Sequence, residues 1–155
     1  MELPVCIQVR ILSQESHEYH VQVDWTDDRV GDLLIEGKPT TKVSAPPEFE
    51  GPEGIISPED LFVAAATSCF MTTFATFSKR MRFDFESFSC QGTGTLEKLE
   101  RGFEFTKLLL KTRVVVDSKE TKPKAERALE LAAKYCLVSN SMKCPTEHEN
   151  IVIVG

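Results

Sequence analysis

Basic residues are the minority charge in this chain. Eighteen Lys and Arg stand against 24 Asp and Glu, a formal net charge of −6. Phosphate backbones are bound by clustered Lys and Arg, so a nucleic-acid partner is not expected. The one basic cluster, Lys119, Lys122 and Lys124, falls at a helix start, where it opposes the helix dipole and reads as a solvated turn. No repeat and no low-complexity tract is present. The opening segment MELPVCIQVR lacks a basic region followed by an apolar run, so no secretory signal is expected. The longest apolar stretch, residues 61–77, is short for a bilayer crossing. It also carries the hydroxyls of Thr67, Ser68, Thr72, Thr73 and Thr76, so no membrane partner is expected. Five cysteines cannot all pair internally, and no tight pair of ligand knuckles marks a metal site. These absences together describe a cytoplasmic chain whose thiols are reduced at rest.

At 155 residues the chain suits one domain, 1–155, large enough to bury a core. Its first third reads as strands. Apolar and polar residues alternate over residues 5–11 and again over 19–25, with shorter runs at 32–36 and 40–44. A loop rich in Pro and Gly follows over 45–56. Ser57 then suits an N-cap, Pro58 the first helical position, and Glu59 and Asp60 the positive end of the dipole. Through Phe77 this helix is apolar or small on nearly every side, which predicts a central helix wrapped by other elements. Two long strands come next, near 85–96 and 103–116, joined at Arg101 and Gly102. On the first of them Phe88, Cys90, Gly92 and Gly94 share one parity.

A second helix is expected over 123–135, with a stripe of Ala125, Ala128, Leu129 and Ala132 that continues to Cys136. Residues 151–154, apolar throughout, predict a closing strand covered on both faces. The order predicts an α+β domain of antiparallel sheets packed with two helices.

Two cysteines stand out. Cys69 lies in mid-helix, where it gains nothing from a helix N-terminus, so a reactive thiolate there needs a cation from elsewhere. Alone it reads as a small core residue. Cys136 falls at a helix end where local motion is easier, as a thiol that must move to a partner requires. Spacing alone does not show that positions 69 and 136 meet. Cys6 and Cys90 fall in expected strands and read as packing residues. Cys144 and His148, taken with Cys136, form only a weak zinc pattern.

The block Pro58-Glu59-x-Leu61-x-x-x-Ala65-x-x-x-Cys69-Phe70, with Cys136-x-Val138-Ser139-Asn140-Ser141 far downstream, resembles the OsmC/Ohr family. These are osmotically inducible and organic hydroperoxide resistance proteins, and the order of elements is similar over nearly the whole chain. The resemblance implies an OsmC-like fold, an intertwined homodimer with sites at the subunit interface, and thiol peroxidase activity. It implies Cys69 as peroxidatic thiol, Cys136 as resolving thiol, Glu59 as a site carboxylate and Arg29, in Arg29-Val30-Gly31, as the site arginine. Leu137 stands where members usually carry proline.

On that reading the thiolate attacks an organic hydroperoxide, an alcohol leaves, and the Cys69 sulfenic acid condenses with Cys136. A dithiol, a lipoyl group in the family, then reopens the bridge. No cofactor and no metal is required. Phe62, Phe70, Met71 and Phe74 around Cys69 favour bulky organic hydroperoxides over hydrogen peroxide, although most of them read equally as plain core side chains. Two other readings stay open: a binding protein for a small apolar ligand, and a slow thiol redox sensor.

Overall fold

The structure, a computed structural model, describes residues 15–155. The strand expected over 5–11, and Cys6 within it, lie outside the described residues. Strands β1 (Gln22–Asp27), β2 (Val30–Leu34) and β3 (Thr41–Ser44) form an antiparallel sheet in sequence order. The strand expected over 19–25 thus begins and ends later. Strand pairing sets the boundary: Gln22 faces Leu34 on β2, whereas Tyr19 and Val21 stand exposed beyond the pairing. Asp28 takes a left-handed conformation in the β1–β2 turn (φ 41°), a region that Asp tolerates better than most residues.

The Pro/Gly loop is held at both ends. A single 3-10 turn spans Pro47–Phe49, and Ser44 N donates to Ile56 O at 3.0 Å. Helix α1 (Pro58–Arg80) then starts as its sequence requires. Ser57 accepts from Asp60 N at 3.1 Å, while the Asp60 carboxylate accepts from Ser57 N at 2.9 Å. That reciprocal capping satisfies two donors that the helix start would otherwise leave open. The helix runs one turn past Phe77. At 23 residues it is by length and composition able to cross a membrane, contrary to the expectation that the stretch is too short.

The second sheet carries the core. Strands β4 (Ser87–Leu99) and β5 (Gly102–Val116) form a long antiparallel hairpin, and β6 (Thr146–Val154) joins β5 in parallel. The sheet is therefore mixed, not wholly antiparallel. Its parallel pair is possible because α2 (Lys122–Tyr135) and the short α3 (Leu137–Ser141) supply the crossover. β6 is not covered on both faces as expected: Val152 is buried while Ile151 is exposed.

Helix α1 buries one stripe, Ala66, Phe70, Phe74 and Ser78, spaced four apart. Phe70 and Phe74 meet Leu110, Val114 and Val116 from β5 and Ala125, Ala128, Leu129 and Ala132 from α2. Truncating either Phe to Ala would cost about 3–5 kcal/mol. The helix is not wrapped by its own chain, however, and Leu61 and Met71 remain exposed. The crossing of α1 over β4 is close. A Cβ on Gly92 would sit 2.1 Å from Thr67 Oγ1, and one on Gly94 would sit 2.6 Å from Val63 Cγ2. The parity of Gly92 and Gly94 with Phe88 and Cys90 thus marks the face on which the helix rests.

Candidate active site at the α1–α3 contact

Cys69 sits three turns into α1, and the chain brings Cys136 to it from the opposite end of the fold. The apolar stripe of α2 carries Cys136 inward, and the residue has no exposed surface. At Cys136 the backbone leaves the helical region (φ −64°, ψ 108°), so α2 stops and α3 starts from the same residue. The sequence expectation of a frayed helix end is replaced by a break between two helices.

The break aims the first N–H groups of α3 at Cys69. Burial pushes the Cys69 thiol up, but the opposing contacts together outweigh it and hold the thiol below its ordinary value. They are the Val138 N–H, the Cys136 thiol, the Thr73 hydroxyl and the Leu137 N–H. Hydrogen bonds to the charged form favour a thiolate just as a nearby cation does. The cation expected on sequence grounds is therefore not what lowers this thiol within one chain. Thr73 Oγ1 lies 3.9 Å from Cys69 Sγ and donates to Cys69 O at 2.8 Å.

Cys136 goes the other way. Burial raises it, contacts from the Ser139 hydroxyl and N–H oppose that, and the neighbouring Cys69 adds to the rise. Ser139 Oγ donates to Cys136 Sγ at 3.2 Å, and Cys136 Sγ lies 4.0 Å from Ala66 O. Both cysteines are free thiols. The two neighbouring thiols are thus shifted in opposite directions.

Cys69 opens on a groove of about 690 Å³ whose walls include Thr73, Phe77, Arg80, Leu131 and Leu137. Most of the apolar residues expected near Cys69 are packing residues, as the core reading of them anticipated. Phe70 and Phe74 are core, and Phe62 stacks on Phe105 at 4.5 Å. Leu137 is 77% exposed beside the thiol.

The remaining expected site residues gather at the other end of α1. Glu59 precedes Cys69 by ten residues, about 15 Å along the helix axis. Its Oε2 is buried without a hydrogen-bond partner among the described residues, and it borders a groove of about 990 Å³ with Val63, Gly92, Phe103 and Phe105. Arg29 shares a shallow depression with Pro58. Its guanidinium donates to Glu50 at 2.7 Å and to Phe49 O at 2.8 Å, not to Glu59. A single chain thus unites Cys69 with Cys136 and leaves Arg29 and Glu59 near the far end of the helix.

Sequence reasoning missed Thr73, Ser139 and the amides of Leu137 and Val138 as groups acting on the thiols. Ser139 stood within the quoted motif, but backbone donors leave no mark in a sequence. Among the described residues no group of three His, Cys, Asp or Glu side chains is placed to hold a metal ion.

Comparison with known proteins gives this arrangement its context. The family profile described as OsmC-like protein matches residues 51–149, which include both cysteines. Uncharacterized protein YmaD of Bacillus subtilis is 23% identical over 131 residues, covering 82% of this chain and 87% of that protein. An OsmC-like protein of unknown function from Vibrio cholerae superposes with a TM-score of 0.79 at 27% identity, over 88% of this chain and all of that one. The organic hydroperoxide resistance protein OsmC of Legionella pneumophila superposes at 0.68 with 21% identity, covering 89% and 99% of the two chains. With the match spanning most of its length and the α+β architecture shared, this chain belongs to the OsmC-like family.

Proposed function

We propose that the protein is a two-cysteine hydroperoxide reductase of the cytoplasm, acting as a homodimer. The observation that carries the reading is that the α2–α3 break brings Cys136 beside Cys69, with the Cys69 thiol lowered and the Cys136 thiol raised. A low thiol attacks and a high, sheltered thiol waits: this division of labour is what the chemistry needs. Cys69 thiolate displaces alkoxide from the distal oxygen of an organic hydroperoxide, and the alkoxide leaves as alcohol once protonated. Cys136 then attacks the resulting sulfenic acid, water is lost, and a Cys69–Cys136 disulfide remains. A dithiol, of lipoyl type in the family reading, returns both thiols.

The homodimer reading is supported by surface left uncovered. Val23, Trp25, Leu61 and Met71 are all exposed, more apolar surface than isolated residues account for. A second copy also resolves the separation of the site residues. Glu59 lies about 15 Å along α1 from its own Cys69 and Arg29 sits beside the same helix start, so both would serve the thiol of the other protomer. There the guanidinium would hold the thiolate and the peroxide oxygen, oriented by Glu59.

Purified protein with a dithiol is expected to consume cumene-type hydroperoxide faster than hydrogen peroxide, with intact mass falling by two hydrogens on oxidation. If Cys69→Ser consumes the hydroperoxide as fast as the native chain, the proposal fails. A second reading has its own observation: the 990 Å³ groove beside Glu59 is lined by Val63, Leu96, Phe103 and Phe105 and does not include either cysteine. A small apolar ligand bound there would leave the mass unchanged by peroxide.

A further inference from the structure

We infer that a dithiol reductant opens the Cys69–Cys136 disulfide at Cys69 Sγ only, and that Cys136 departs as a thiolate received by the hydroxyl of Ser139. The inference rests on the two-cysteine reading above and adds the direction of its reductive half. Displacement at sulfur requires the nucleophile to come from behind the sulfur attacked, in line with the bond that breaks. Within one chain Cys69 borders the groove lined by Thr73, Phe77 and Leu137. Behind Cys136 lies the core: the residue has no accessible surface, and Ala66 O and Ser139 Oγ stand 4.0 and 3.2 Å from its sulfur.

Leaving-group chemistry alone favours the opposite choice. The lower thiol leaves faster, and Cys69 is the lower of the two. Access overrides this, because a sulfur that no reagent reaches is not attacked however good its partner is as a leaving group. The protein is then left with the poorer leaving group, raised by its burial. Ser139 offsets that defect. Its hydroxyl donates to Cys136 Sγ, and its backbone N–H also favours the ionised sulfur. Ser139 is thus a positioning residue for reduction.

The balance is complete. One thiolate of the dithiol bonds to Cys69 Sγ, the disulfide breaks, and its electron pair leaves on Cys136, which takes a proton released by the dithiol. The second reductant thiol then attacks the reductant's own sulfur in the mixed disulfide and expels Cys69 as thiolate. The reductant is oxidised to its disulfide by two electrons, and the protein disulfide is reduced by the same two.

The test forms the disulfide with diamide, so it does not depend on peroxide chemistry. Stopped-flow reduction by dithiothreitol is expected to slow at least about threefold in Ser139→Ala and to recover in Ser139→Thr, which keeps the hydroxyl. Folded Cys136→Ser and Cys69→Ser proteins are also treated with an aryl disulfide, and the adducts mapped by peptide mass. Cys69 in the first variant is expected to react at least about tenfold faster than Cys136 in the second, since exchange follows access. Equal rates at the two sulfurs, or unchanged reduction in Ser139→Ala, would overturn the inference. Failure of diamide to join the cysteines would defeat this inference and the peroxidase reading together. A protein that forms the disulfide with diamide but not with hydroperoxide would defeat the peroxidase reading alone.

Discussion

Substituting Ala at Gly92 tests how tightly α1 is seated on β4. The new Cβ falls 2.1 Å from Thr67 Oγ1 and 3.0 Å from Val63 Cγ1. Ordinary contact starts near 3.4 Å, so Cβ and hydroxyl must separate by more than 1 Å (3.4 − 2.1 = 1.3). Either Thr67 rotates and gives up its 2.8 Å bond to Val63 O, or the helix lifts from the sheet. Overpacking of this kind costs about 1–3 kcal/mol. Replacing Gly also restricts the unfolded chain, which returns about 0.4–1 kcal/mol. The net expectation for Gly92→Ala is a loss of about 1–2 kcal/mol in urea unfolding of the reduced protein. Adding Thr67→Ala removes the hydroxyl and should recover about half of it, a coupling near 1 kcal/mol in the double-mutant cycle. Thr67 lies two residues from Cys69, so the rate of diamide-driven disulfide formation should fall in Gly92→Ala and rise again in the double variant. A single variant as stable as the native chain, or two costs that simply add, would refute the seating described here.

The other predictions concern the site. Glu59→Gln should lower hydroperoxide turnover at least about tenfold while leaving urea stability within about 0.5 kcal/mol of native, because Glu59 Oε2 has no hydrogen-bond partner among the described residues. Turnover equal to native would remove Glu59 from the site. Alkylation by iodoacetamide, followed residue by residue with mass spectrometry, should show Cys69 reaching full rate at lower pH than Cys90. Cys69 lies below the ordinary thiol value and Cys90 is pushed above it by burial; a lower thiol keeps its reactive anion to lower pH, so the reverse order would contradict the contacts assigned here. Sedimentation at low micromolar concentration should give a dimer, and Met71→Glu, at an exposed position on α1, should shift it toward monomer. A native chain that sediments only as monomer would count against the shared site.

Local signals carried much of the fold. Ser57, Pro58 and Asp60 mark the start of α1 because capping chemistry is written in adjacent residues. The turn at Arg101 and Gly102 and the parity of β4 were legible for the same reason. The polar half of β6 was not, because Glu147 and Glu149 alternate with Thr146 and His148 and leave no apolar run. The boundary between α2 and α3 carries neither Gly nor Pro, so it passed as one helix ending. In the site, residue types alone left Cys69 as a core residue, and it was the family resemblance that singled out the two thiols. The amides of Leu137 and Val138 acting on Cys69 depend on a backbone break that only tertiary packing sets. Arg29 and Glu59 entered only through the resemblance, and their separation from Cys69 within one chain was not legible.

The meeting of α1 and α3 joins positions 67 residues apart (136 − 69). Each catalytic cycle would therefore also insert and remove a covalent staple across nearly half of the chain. Closing a loop of that length withdraws entropy from the denatured ensemble worth about 4 kcal/mol. For a protein of this size that corresponds to on the order of ten degrees in melting temperature. Resistance to heat would then rise and fall with the supply of reducing equivalents, and a melting curve would serve as a gauge of how much of the population is waiting for its reductant.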